Sequence, residues 1–333
     1  MNKACIVITT INPQNENIQY YSTLNGWDLI IVSDLKTNDK LYATTKCIYL
    51  GIKEQEYYFP EFYSKVPFNS YTRKMFGYLY AIQHKYTTIY DTDDDNMYLK
   101  DLNSFNNLKP IKLVKSDGYL NIYKLFTDIN IWPRGIPPGN LYINEMPRIS
   151  ENTDELRYAI IQGLVDNDPD VDAFYRININ NTPVFFNKDS KYDYILDKYS
   201  VCPFNTQNTF WLDPSTFYLM YLPTTVSFRY TDILRGYIAL FQLWKINKSI
   251  VFTSSTAIQE RNPHDLNKDY ADEQTMYNTV DEVIHLLNNN KEATLRDIYI
   301  ILIDHGIVEK NELPVLDIWL KIIDAFGQTA NCK

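Results

Sequence analysis

The chain has 333 residues, of which 45% are hydrophobic and 22% charged. That is enough for one large folded domain, or for one domain with an appendage, and it excludes a disordered or fibrous chain. The net charge of -9 comes with no basic run, so the whole-chain field opposes nucleic acid and anionic lipid.

Lys3 to Ile11 is apolar and β-branched and reads as the central strand of a doubly wound sheet. From Ala4 the run is too short to span a bilayer and lacks a signal-peptide cleavage pattern, so no membrane span is expected. Cys5, Cys47, Cys202 and Cys332 lie far apart and form no C-x-x-C pair. They read as reduced thiols, not as a zinc site or disulfide frame, and a soluble cytoplasmic protein follows. The first strand ends in Thr9 and Thr10, hydroxyls placed to meet a nucleotide, and Asn12-Pro13 turns the chain. There is no G-x-G-x-x-G and no P-loop.

Trp27 to Val32 is a second buried strand, and Tyr42 to Leu50 holds a third. Asp34 follows the second, where it would accept from a uracil N–H or a ribose hydroxyl, or cap the next turn. From Ser70 the pattern is helical, with Met75, Leu79 and Ile82 on one face. Arg73 and Lys74 stand in its first turns, where cations oppose the helix dipole. A diphosphate would offset them there, although solvated charges satisfy the same pattern.

Thr87 to Asn96 is the stretch that carries chemistry. Its first half suits a buried strand, and its second half places Asp91, Asp93, Asp94 and Asp95 within five positions. Carboxylates so close repel and raise one another's pKa unless a cation sits among them. With no Cys or His nearby, the donors favour Mg²⁺ or Mn²⁺ over zinc. Asp93 and Asp95 have the D-x-D spacing with which sugar-nucleotide transferases hold a metal and, through it, a diphosphate; a solvated acidic turn is the plain alternative.

Several blocks then follow one another in order. They are Thr9-Thr10-Ile11-Asn12, Ser33-Asp34 with Lys36-Thr37, Ser70-Tyr71 with Arg73-Lys74 and Gly77 to His84, and Tyr90-Asp91 with Asp93 to Asn96. Further on come Ile131 to Gly135, Gln162-Gly163-Leu164, Asp168 to Ala173, Pro203 to Thr209, Leu222-Pro223, Arg229 with Asp232-Ile233 and Arg235-Gly236-Tyr237, and Arg261 to His264. Together they resemble the STELLO family of glycosyltransferase-like proteins and, more distantly, the reversibly glycosylated polypeptides, the UDP-arabinopyranose mutases. The resemblance implies an α/β, GT-A-type (Rossmann-like) mixed sheet flanked by helices, with a nucleotide-sugar site at its carboxyl edge.

Asp166 to Asp172 is no EF-hand loop, because Val171 and Ile177 stand where Gly and Glu belong, and it reads as a rim facing acceptor hydroxyls. Asn205, Thr206, Gln207 and Asn208 beside aromatic residues suit a sugar ring. The resemblance places Asp232 as catalytic base or sugar ligand and His264 as a third metal ligand; an Asp232–Arg235 pair on the helix is the alternative. In the mutases an Arg in a context like that of Arg134 is linked to sugar. A guanidinium stays protonated, so Arg134 is expected instead to contact phosphate or a sugar hydroxyl. Gln274 to Phe326 is helical throughout and reads as an appendage that carries no chemistry and offers a homodimer contact.

The expected organisation is a catalytic domain over 1–270 and a helical appendage over 271–333. The expected activity is transfer from a nucleoside-diphosphate sugar, UDP-linked, to a glycan or protein acceptor. Mn²⁺ or Mg²⁺ is held by Asp93, Asp95 and His264. Thr9, Thr10, Asp34, Arg73, Lys74, Asp94, Asn205, Gln207 and Asn208 hold the donor. A UDP-sugar mutase, or a silent sugar-nucleotide-binding scaffold, is the alternative.

Overall fold

The computed structural model describes residues 3–141, 147–152, 156–179, 182–186 and 190–327. Cys332 lies outside them; Cys5 and Cys202 are buried, Cys47 is half-buried, and all three are free thiols. Four parallel strands, β1 (Ala4–Thr9), β2 (Trp27–Val32), β3 (Ile48–Leu50) and β4 (Thr88–Thr92), form one half of an 11-stranded sheet in the order β3-β2-β1-β4. Their apolar runs follow from burial on both faces, and the helix between them packs on one. Of the expected third strand only Ile48–Leu50 is extended, because Asn38 caps a tight 3₁₀ turn over Asp39–Tyr42.

The sheet then changes direction. Asn208–Trp211 runs antiparallel to β4 and to Arg157–Asp166, and the long strand Lys248–Gln259 runs parallel to the latter. The far end of that long strand pairs antiparallel with Asn96–Tyr98, matching Gln259 to Asn96. This pairing brings the acidic turn after β4 against the loop that leaves Gln259, two segments far apart in sequence. The result is a mixed α/β sheet flanked by helices, as the sequence blocks imply.

The three C-terminal helices, Leu266–Asn289, Leu295–Asp304 and Glu312–Ala325, share the main hydrophobic core. The expected boundary at 270/271 falls inside the first of them. Glu312 is fully buried and accepts bonds from the Thr224 and Thr225 backbone N–H groups, both at 2.8 Å, and from the Tyr221 hydroxyl. Trp319 Nε1 donates to the Tyr218 carbonyl at 2.9 Å. Among the described residues no helix is long and apolar enough to cross a membrane.

The helix Met75–Gln83 lies close against the sheet at Gly77, where a Cβ would stand 2.5 Å from a Val7 methyl and 2.8 Å from one of Val32. Both methyls sit on strands, so neither can swing away. Gly77→Ala is therefore expected to destabilise the fold by about 1–3 kcal/mol despite alanine's better helix propensity, read as a lower urea midpoint at unchanged slope.

Candidate functional site

A cleft of about 280 Å³ opens at the carboxyl edge of β1, β2 and β4. Thr9, Thr10, Asp34, Asp93, Asp94, Asp95, Gln207, Asp232, Arg134 and His264 all line it, so most of the expected residues do converge. Tyr71, Asp170, Gln259 and Arg261 line it too. The chain reaches it by ending strands there, which is where open α/β sheets leave a crevice.

The four carboxylates after β4 have four different surroundings. Asp91 is fully buried, with Lys74 Nζ at 2.8 Å and an Arg235 nitrogen at 3.5 Å. Burial raises its pKa, opposed by those two cations. Asp93 faces the cleft and accepts from Lys74 at 3.0 Å and from the Tyr71 hydroxyl at 2.7 Å. Asp94 turns toward the first strand and accepts from the Thr10 hydroxyl at 2.5 Å and from Asn12 at 2.9 Å. Asp95 accepts from Gln259 at 3.0 Å, and burial together with the Asp93 charge pushes its carboxyl up to about 7.

Lys74 and Arg73 do not reach the cleft, contrary to the expectation that they bind diphosphate. Both are fully buried. Lys74 points under the acidic turn, where its ammonium meets Asp91, Asp93 and the Thr92 carbonyl (2.6 Å). Arg73 points the other way, donating to Gln55 Oε1 at 2.8 Å and lying 4.4–5.2 Å from the Tyr63, Phe68 and Phe76 ring centres. The turn Tyr71–Lys74 is 3₁₀, capped by Ser70, and the α-helix begins only at Met75. Adjacent residues in such a turn point in different directions, so the pair cannot act as one cationic patch.

Arg134 also departs from expectation. Its Nε and one terminal nitrogen hold Asp170 at 2.7 and 2.8 Å, its two terminal nitrogens hold Asp232 at 3.0 and 2.9 Å, and it donates to the Arg229 carbonyl. That engages all five guanidinium donors, leaving none for a phosphate or a sugar. The same bonds hold the charged form and raise its pKa, against burial. What Arg134 does is fix two carboxylates at the cleft wall. Burial alone would raise the Asp170 pKa, but Arg134 outweighs it and keeps Asp170 below the usual range.

Asn205 and Asn208 are corrected as well. Asn208 is interior to the sheet, donating to Thr256 at 2.8 Å and to the Leu164 carbonyl at 3.2 Å, and accepting from Tyr90. Asn205 lies behind the wall, donating to Asp170 at 2.7 Å. Only Thr206 and Gln207 of this run face the cleft. The strand begins only at Asn208, whose side chain is turned into the sheet, while Thr206 and Gln207 lie in the irregular segment before it. His264 lines the cleft and lies 3.2 Å from Asp269, whose carboxyl falls to about 2 because His264, Arg229 and Arg261 outweigh its burial. Among the described residues no three His, Cys, Asp or Glu side chains stand together as a ready metal cage.

Within the acidic rim read from Asp166 to Asp172, it is Asp170 that reaches the cleft wall, which sequence reasoning did not single out. Its signal is the pairing with Arg134, 36 residues earlier, which spacing alone does not connect.

Two measurements check this geometry. Arg134→Lys keeps the charge but cannot hold two carboxylates at once, and is expected to cost about 3–5 kcal/mol by urea denaturation; a phosphate contact would leave stability nearly unchanged. Asp172 is buried and accepts from Trp132 Nε1 and the Tyr175 N–H. Burial raises its pKa to about 6. Its contribution to stability is therefore full below the ordinary carboxylate range and lost as pH rises through 6. Asp172→Asn should flatten the fall in stability between pH 4 and 6.5, measured as the urea midpoint of variant minus that of wild type.

No family model matches the chain. Two curated proteins from Arabidopsis thaliana do, "Probable glycosyltransferase STELLO1" and "Probable glycosyltransferase STELLO2", each 25% identical, over 97% and 95% of this chain. The chain spans less than half, 44%, of the length of either relative. A solved structure, glucosyl-3-phosphoglycerate synthase from Mycobacterium tuberculosis in complex with phosphoglyceric acid, is 10% identical and covers 86% of this chain and 79% of its own, with a TM-score of 0.41. That likeness is too loose to carry a conclusion. The similarity that runs along nearly the whole chain is the one to the two STELLO proteins.

Proposed function

We propose that the cleft transfers a sugar from a nucleoside-diphosphate donor, UDP-linked, with a divalent cation at the acidic turn. The observation that carries this reading is the division of the four carboxylates. Asp91 and Asp94 are held by the protein, whereas Asp93 and Asp95 turn toward the cleft, and the carboxyl of Asp95 is pushed up to about 7 by burial and by Asp93. Lys74 meets Asp93 from beneath at 3.0 Å, but carboxylates outnumber cations at this turn, and such hard oxygen donors fit Mn²⁺ or Mg²⁺. Such ions keep waters and take substrate phosphates as ligands, so two protein carboxylates suffice; His264 lines the same cleft. When bound, the ion neutralises charge on the leaving diphosphate.

The protein's own groups supply the rest. Thr9, Thr10 and Asp34 line the end where β1 and β2 stop, and they would meet the nucleoside. Asp34 already accepts from Ser70 N–H at 3.0 Å and Leu35 N–H at 2.7 Å, which fixes its carboxylate toward the cleft. Asp170 and Asp232, held rigid by Arg134, offer fixed acceptors for sugar hydroxyls, and Asp232 is placed to take a hydroxyl proton from the acceptor. The engagement of every Arg134 donor speaks against a mutase that works through that residue.

Calorimetry with UDP, with and without Mn²⁺, tests the reading. The two ligands should each tighten the other's binding by the same factor, as linkage requires. Asp95→Ala should remove that coupling and weaken UDP binding at least ~10-fold while the protein stays folded. UDP affinity that ignores both Mn²⁺ and the substitution would sink the proposal.

A further inference from the structure

Beside the cleft, and sharing Arg261 with it, lies a second pocket of about 410 Å³. The loop Asn167–Val171 divides them: Asp170 faces the cleft, while Asp168, Pro169 and Val171 face the second pocket. Arg176 and Arg261 both line it, and neither is engaged as Arg134 is. Arg176 donates to Asp168 and, at 3.0 Å, to the Pro169 carbonyl; its buried Nε–H has no partner among the described residues. Arg261 donates to Asp269 at 2.9 Å, and its buried Nε–H likewise has none among them. A buried donor left unbonded is costly, and a guanidinium fork matches the oxygens of a phosphate or carboxylate.

We propose that this second pocket is an acceptor subsite that takes an oxyanion, a phosphate or carboxylate borne by the molecule that receives the sugar. The inference rests on the transferase reading above. Burial and the neighbouring Arg176 and Arg229 push Arg261 down to about 10, a crowding of cations that a bound anion relieves. The acidic turn contributes nothing to this pocket, nor do Thr9, Thr10 or Asp34. The anion therefore sits beyond Asp170, apart from the nucleoside and diphosphate, on the side from which an acceptor would enter. Two carboxylates also line the pocket. Asp168 is matched by Arg176, and Glu260 is exposed.

Titration of the full chain with inorganic phosphate tests this, first in EDTA and then with saturating UDP and Mn²⁺. Phosphate should bind in both conditions. Arg261→Gln and Arg176→Gln should each weaken it at least ~10-fold, and Arg176→Gln, which lies outside the cleft, should do so without a like change in UDP affinity. Glu260→Gln, at an exposed position, should strengthen it about two- to threefold, and this arm decides the matter if an arginine variant fails to fold. The proposal is overturned if phosphate does not bind in EDTA, if UDP displaces it, or if Glu260→Gln leaves its affinity unchanged. It is also overturned if UDP-glucuronate binds more tightly than UDP-glucose and loses that advantage in Arg261→Gln, since the anion would then belong to the donor sugar. Phosphate binding that meets every expectation in a chain that binds neither UDP nor Mn²⁺ would overturn the transferase reading alone.

Discussion

A single buried ammonium holds the acidic edge of the sheet together. Lys74 stands beneath the turn that follows β4, within 3.0 Å of Asp91, Asp93, the Thr92 carbonyl and the Tyr71 hydroxyl. Without a cation there, two carboxylates on neighbouring residues of one strand end could not both remain charged in so dry a place. The ammonium does not reach substrate. It sets which carboxylates are neutralised from within and which face outward, and so determines what the cleft can bind.

The same logic extends to the other side of the cleft. Arg134 neutralises Asp170 and Asp232 together, and Arg235 approaches Asp91 from the helix Thr231–Lys245 while lying against the rings of Phe204 and Trp211. That helix comes close to the loop through Gly236, where a Cβ would stand 2.4 Å from the Phe204 carbonyl. Thr206 thereby meets both Tyr71 and Asp232, joining the two walls of the cleft. The carboxylates are thus fixed in direction before any ligand arrives, which is the arrangement that favours orientation over flexibility. The guanidiniums differ in kind. Arg134 has every donor engaged by the protein, whereas Arg176 and Arg261 each keep a buried Nε–H without a partner among the described residues.

The C-terminal helices follow from burial of a different sort. A carboxylate with no countercharge, Glu312, is held by hydroxyls and backbone N–H groups of the segment Tyr221–Thr225, just ahead of the helix that carries Asp232. Hydrogen bonds alone can retain a buried carboxylate when several converge on it. The helices therefore brace the sheet through one shared core.

Much of the fold was written in local pattern. The buried strands, the D-x-D turn and the helical stretch from Gln274 to Phe326 depend on periodicity, β-branching and turn residues, which act over a few positions. The residue types of the cleft were legible for the same reason: carboxylates crowded after a strand stand out in any sequence. The direction in which each side chain points was not. Arg73, Lys74, Asn205 and Asn208 lie in the right segments, but their orientation is fixed by a 3₁₀ turn in one case and by the irregular entry into a strand that begins at Asn208 in the other, and both were set by packing. The role of Arg134 depended on Asp170 and Asp232, 36 and 98 residues away. Sequence determined which charges this protein must place at its sheet edge. Only the tertiary structure decided which of them cancel one another, because an ion pair is a matter of distance in space, and spacing along the chain does not contain it.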